Sequence, residues 1–146
     1  MKLPPIYLAE DDVDDRELFV EAISDLGIKI EIRQFENGID LMDALFTTDI
    51  LPRIIFLDLR MPLMSGFECL TDIRNFRKFN GIHVIVYSAA YHEREVRQLR
   101  NDGANGYLQK PSSYADLKSL LYQIVVRSID SNKSQQSKTF KFLSKS

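Results

Sequence analysis

The sequence predicts an α/β domain: a parallel sheet with helices on both faces. Short apolar runs alternate five times with segments of helical periodicity, the pattern of strand–helix–strand crossovers. One run, Ile54-Ile55-Phe56-Leu57, is apolar throughout, as in a strand covered on both faces. Four runs stop at polar groups: Glu10, Asp58, Ser88 and Lys110. Parallel strands carry those ends to one edge of the sheet.

The first strand is Ile6-Tyr7-Leu8-Ala9, running straight into Glu10-Asp11-Asp12. A helix follows, with Phe19, Ala22, Ile23 and Leu26 on one face. Asp12, Asp14 and Asp15 stand near its start, where acids cap a helix and complement its dipole, and Gly27 ends it. Ile28-Lys29-Ile30-Glu31-Ile32-Arg33 alternates strictly and reads as a half-exposed edge strand. Asn37-Gly38 turns into a second helix with Leu41, Met42, Leu45 and Phe46 inward, and Pro52 breaks the chain before the central strand.

Beyond Asp58, Met61-Pro62 stops the strand and Ser65-Gly66 leads into a third helix with Phe67, Leu70 and Ile73 inward. The fourth strand is Val84-Ile85-Val86-Tyr87, ending at Ser88-Ala89-Ala90. The fourth helix, about Glu93 to Asp102, has only Val96 and Leu99 as an apolar stripe, so it is thinly anchored and easily shifted. Asn105 to Gln109 is a fifth strand, ending at Lys110-Pro111. The last helix runs from Ser113 to Val126, with Leu117, Leu120, Leu121, Ile124 and Val125 as its core face.

The 146 residues are enough for one domain with a core and too few for two. The expected division is a domain over 1–127 and a flexible basic tail over 128–146, in which Phe140, Phe142 and Leu143 offer the only docking groups. Residues 127–146 carry four Lys, one Arg and one Asp, a net +4 within a chain of net −2. The remainder is therefore acidic, which argues against duplex-DNA binding, whose basic footprint lies on the fold. The single cysteine, Cys69, excludes an internal disulfide, fits a reducing compartment and reads as a core thiol. No apolar run has the length of a membrane span or a signal peptide, so a cytoplasmic location is expected.

At the shared edge, Glu10, Asp11 and Asp58 would repel one another and raise their own pKa values. A hard divalent cation relieves that penalty; magnesium suits oxygen ligands and needs only one or two carboxylates beside phosphate. Lys110 adds positive charge and Ser88 a hydroxyl. Together they describe a pocket for a phosphoryl group built around a carboxylate nucleophile.

These residues carry a resemblance. The acidic run after the first strand, LDLRMPLMSG around Asp58, YSAA at Ser88 and GYLQKP at Lys110 stand in the order and spacing of response-regulator receiver domains of two-component signalling. The chain is similar to the bacterial chemotaxis receiver over about residues 4–126. The resemblance implies a flavodoxin-like, doubly wound five-stranded sheet of order 2-1-3-4-5. It implies that Asp58 accepts phosphate from a histidine kinase or histidine phosphotransfer protein. It implies that Asp11, Asp58 and the backbone carbonyl of Arg60 bind Mg2+, with Glu10 acting mainly through water.

By the same resemblance, Lys110 pairs with Asp58 or its phosphoryl oxygens, and the Lys110–Pro111 peptide is expected to be cis. Ser88 bonds the phosphoryl group, and Tyr107 rotates inward with it as a switch. Arg60 and Ala90 flank the approach of hydrolytic water, and Arg60 is expected to shield the phosphate. The sequence departs from the commonest pattern in having Glu-Asp for Asp-Asp and serine for threonine. Asp12 leaves Asp11-Asp12 open as the alternative acidic pair.

The expected function is a stand-alone phospho-accepting module, no enzyme beyond its own phosphorylation and dephosphorylation. It would act through an unidentified downstream protein, without direct nucleic-acid or membrane binding, homodimerisation being left open. The alternatives are a phosphorelay intermediate or a degenerate receiver serving only as an interaction module. A haloacid-dehalogenase-like phosphatase would need an acid where Arg60 stands. A flavodoxin-like FMN binder would need a glycine- and hydroxyl-rich loop where this chain has three acids.

Overall fold

The computed structural model describes residues 3–129 and 140–144. The elements alternate as β1 (Ile6–Ala9), α1 (Val13–Asp25), β2 (Ile32–Phe35), α2 (Gly38–Thr47), β3 (Ile54–Leu57) and α3 (Gly66–Asn75). There follow a 3-10 turn (Arg77–Phe79), β4 (His83–Ser88), α4 (Glu93–Asn101), β5 (Gly106–Gln109), α5 (Tyr114–Ile129) and β6 (Lys141–Leu143). All pairings are parallel, in the order β2-β1-β3-β4-β5-β6.

Alternation along the strands divides the core between two faces. Ile6, Leu8, Phe56, Tyr87 and Leu108 point toward α1 and α5, where Phe19, Ile23, Leu117 and Leu121 meet them. Tyr7, Ile55, Leu57, Val86 and Tyr107 point the other way, toward Leu41, Leu45, Leu70, Ile73 and Leu99 of α2, α3 and α4. The central strand β3 is buried at every position, as its unbroken apolar run requires. Phe19, Phe56 and Tyr87 pack edge to face in one cluster.

Among the described residues four helix starts are fixed by side-chain caps. Asp12 accepts from the Asp15 amide, Asn37 from the Asp40 amide, Ser113 from the Asp116 amide, and Ser65 and Glu68 form a reciprocal capping box. A half-buried guanidinium ties α3 to the turns that lead into β4 and β5. Arg74 donates to the carbonyls of Phe79, Ile82 and Gly103 and to Asn105 Oδ1, which also accepts from the Val84 amide.

The structure corrects the expected sheet. It has six strands where five were expected, because Lys141–Leu143 continues it beyond β5 in register Tyr107↔Phe142. An open β5 edge presents unpaired backbone groups, and β6 satisfies them. Gly106 permits the approach: a Cβ there would lie 3.0 Å from the Lys141 carbonyl oxygen. Residues 141–143 of the expected flexible tail thus belong to the sheet, while 130–139 lie outside the described residues.

The second strand begins at Ile32, not Ile28. Its pairing with β1 opens at Ile6↔Ile32, and Ile28 and Ile30 cover the core as a run-in. Phe46 is 43% exposed rather than buried, packing edge-on against Phe76. The last helix extends to Ile129, past the expected end at Val126.

Candidate functional site

The sheet ladder itself sets the site. One residue past its strand, Glu10 donates its amide to the Phe35 carbonyl (2.9 Å), Asp58 to Ala9 (2.9 Å) and Lys110 to Ser88 (2.8 Å). Three functional residues are thereby held by neighbouring strands at the carboxyl edge. The loop after Asp58 folds back tightly: the Gly66 amide donates to Leu59 O at 2.9 Å. A Cβ at Gly66 would come within 2.2 Å of the Asp58 carbonyl oxygen, so only glycine fits there. In the same loop Leu63 adopts φ 69°, a left-handed conformation uncommon for leucine, and is 78% exposed.

Glu10, Asp11 and Asp58 converge, each with a carboxylate oxygen within 4.8 Å of the others. Glu10 is 1% exposed and Asp58 9%. Burial, then the hydrogen bond and charge of Glu10, push the Asp58 carboxyl up to about 8 against the opposing charge of Lys110; Asp11 adds to the rise. Asp12 lies outside the cluster as the cap of α1 and donates its amide to Glu10 Oε2 at 3.2 Å. The cluster offers only carboxylate oxygen, the donor set a hard divalent cation takes, and crowding of negative charge is what such a cation relieves.

Without a phosphoryl group, Lys110 takes other partners than Asp58. Its Nζ lies 2.5 Å from Glu10 Oε1 and 2.8 Å from Asp15 Oδ2, and among the described residues it forms no ion pair with Asp58. A fully buried carboxylate needs a partner, and Lys110 supplies it for Glu10. Burial alone would depress the ammonium. Hydrogen bonds to Asp15 and Glu10, with the charges of Glu10 and Asp58, outweigh that and raise its pKa. The same ammonium stands 5.0 Å from the centre of the Tyr87 ring. The Lys110–Pro111 peptide is trans, against the expected cis; trans is the more stable form of an X–Pro bond by about 0.5–1 kcal/mol.

Ser88 is 6% exposed at the end of β4. Tyr107 on β5 is 1% exposed and points inward, its hydroxyl donating to the Ala90 carbonyl. Burial raises the Tyr107 phenol, and a hydrogen bond with the Ser88 side chain acts the other way. Phe142 stacks on the Tyr107 ring with centroids 5.7 Å apart and also meets Tyr91 at 5.0 Å.

Arg60 does not lie over Asp58. Its Nη2 pairs with Glu95 Oε2 on α4 at 3.0 Å, and its side chain is 61% exposed.

Two contributors escaped the sequence: Asp15 reads as a helix-start acid and Glu95 as one charge on a solvated helix, whereas Phe142 stands among the tail groups able to dock. A partner 95 residues away leaves no mark in local periodicity. The acidic run itself was the available signal for Asp15, since more acids gather there than a helix start needs.

The family model for the response regulator receiver domain matches residues 6–122. The probable methanogenesis regulatory protein FilR2 of Methanothrix harundinacea is 31% identical over 123 residues, covering 82% of this chain and 79% of that protein. The phosphorylated cyanobacterial phytochrome response regulator RcpA superposes with a TM-score of 0.80 at 24% identity, covering 88% of this chain and 95% of that one. The Mn2+-bound form of response regulator Rcp1 superposes with a TM-score of 0.78 at 26% identity, covering 88% and 96%.

Proposed function

The chain belongs to the response regulator receiver family, and from that premise we propose that it accepts a phosphoryl group on Asp58 and signals by a shift in conformation. The observation that carries this reading is the convergence of Glu10, Asp11 and Asp58, with Lys110 beside them, at the carboxyl edge of a parallel sheet. The donor is a histidine kinase or histidine phosphotransfer protein. An Asp58 carboxylate oxygen attacks phosphorus, the phosphorus–nitrogen bond of the phosphohistidine breaks, and its electron pair leaves with the imidazole. The product is an acyl phosphate on Asp58 and a free histidine.

Positioning and charge do most of the work in such a transfer. Glu10, Asp11, Asp58 and the Arg60 carbonyl would hold magnesium, which when bound offsets carboxylate repulsion and the charge on the transferring oxygens. Lys110 leaves its carboxylate partners to meet the phosphoryl oxygens, and Ser88 donates its hydroxyl to them. Ser88 already lies beside the Tyr107 hydroxyl, which links acceptor chemistry to β5 and the β4–α4 loop. Phosphorylation therefore biases one arrangement of these elements, which a downstream protein reads. The protein is no enzyme beyond this self-modification, and its site of action is cytoplasmic. Among the described residues no helix is long and apolar enough to cross a membrane.

The test is intact mass after incubation with acetyl phosphate and magnesium. One added phosphoryl group is expected, lost on chelation and in Asp58→Asn. Undiminished labelling of that variant at neutral pH would assign the acceptor elsewhere.

A further inference from the structure

We propose that Asp15 is a positioning residue: it holds Lys110 in the resting protein and competes with the Asp58 phosphoryl group for it. The inference rests on the phospho-acceptor reading and adds a residue to it.

Two carboxylates divide Lys110 between them, and they differ in kind. Glu10 is buried, stands at the end of β1 and belongs to the acidic cluster. Asp15 lies in the first turn of α1, outside that cluster, with its side chain 35% exposed. An ammonium has three N–H donors. Asp15 Oδ2 accepts one of them at 2.8 Å, and Glu10 Oε1 lies 2.5 Å from the same nitrogen as an ion pair. A cation entering the acidic cluster gives Glu10 a second source of positive charge. Asp15 has no share in that cluster, so its claim on Lys110 persists when the phosphoryl group arrives.

The energetics suit a latch. A partly exposed ion pair contributes modestly, enough to set the resting position of Lys110 and small enough to break. A bound phosphoryl dianion offers the same ammonium a stronger, charge-assisted partner. Asp15 therefore lowers affinity for the phosphoryl group in two ways of the same sign: it retains Lys110, and its own charge repels the dianion.

The plain structural role of Asp15 is to complement the α1 dipole, as acids in a first helical turn do. That role predicts a small loss of helix stability on neutralisation and no effect that depends on Lys110.

The test is a double-mutant cycle on the full chain with magnesium, using beryllofluoride as the phosphoryl mimic and reading its affinity by fluorine NMR. Asp15→Asn should bind about threefold more tightly than the parent, within the range of a partly exposed pair. Asp15→Glu should return affinity toward the parent. In a Lys110→Ala background, Asp15→Asn should gain distinctly less, only the part that direct charge repulsion supplies; the same cycle is read from the initial rate of phosphoryl incorporation from acetyl phosphate. Unchanged or weaker binding by Asp15→Asn overturns the proposal, as does an equal gain without Lys110. If the parent takes up neither beryllofluoride nor phosphate, the acceptor reading itself fails, and the role of Asp15 with it.

Discussion

Phe142 lies stacked against Tyr107, ring centroids 5.7 Å apart and planes 28° from parallel. The contact joins the last strand to the tyrosine whose hydroxyl reaches the β4–α4 loop at Ala90. Tyr91 in that loop meets Phe142 from another side, and Arg100 of α4 lies 5.7 Å from the Phe140 ring centre. The C-terminal strand therefore touches β5, the β4–α4 loop and α4 together.

Phe142→Ala should lower stability by about 1.5 kcal/mol, since each aromatic pair contributes about 0.5–1.5 kcal/mol beyond area and the ring is half exposed. The check is a denaturant midpoint at unchanged slope. Faster amide exchange at Gly106 to Leu108 should accompany it. A midpoint equal to the parent's would mean that β6 contributes nothing to the fold.

Gly66→Ala should be more damaging than its exposure-neutral chemistry suggests. The added Cβ would meet Asp58 O at 2.2 Å and Leu59 Cα at 2.8 Å, both backbone atoms that cannot swing aside. A loss of about 2 kcal/mol is expected, in the range for overpacking. Because the displaced backbone is that of Asp58, phosphoryl incorporation should fall as well. Full activity with parent-like stability would contradict the close approach.

The acidic cluster sets a pH dependence in the absence of metal. Asp58 is pushed up to about 8 in the folded protein from 3.8, by burial first and Glu10 second. Between those values the native state binds more protons than the unfolded state, so stability should fall as pH rises from about 4 to about 8. In chelator, thermal melts across this window should show that slope, and Asp58→Asn should flatten it. Stability rising through the window, with no difference between parent and variant, would refute Asp58 as the source of the slope.

Arg60 and Glu95 make the last pair. Their 3.0 Å contact links the residue two beyond Asp58 to α4 and draws the guanidinium away from the acceptor. Glu95→Gln should free Arg60 to cover phosphoryl oxygens and lengthen the life of the phosphorylated protein. With Arg60 held by Glu95, Arg60→Ala should leave that life close to the parent's. Phosphate loss, followed with donor removed and magnesium constant, measures both. Identical lifetimes in the two variants would leave Arg60 a surface residue.

The sequence by itself determined the strand–helix alternation, the parallel sheet and the edge where chemistry gathers. Apolar runs of four residues, one apolar throughout, are local signals, and parallel pairing then carries Glu10, Asp58, Ser88 and Lys110 to one side whatever their separation. Tertiary structure alone decided which partners those groups take. Lys110 turns to Glu10 and Asp15 rather than Asp58, Arg60 to Glu95, and Phe142 to Tyr107. Such choices depend on rotamers and on differences of an ångström or two between competing carboxylates, which no periodicity encodes. The sixth strand is three residues long in a polar stretch, too short for alternation to register, and it forms because the β5 edge offers backbone groups to pair.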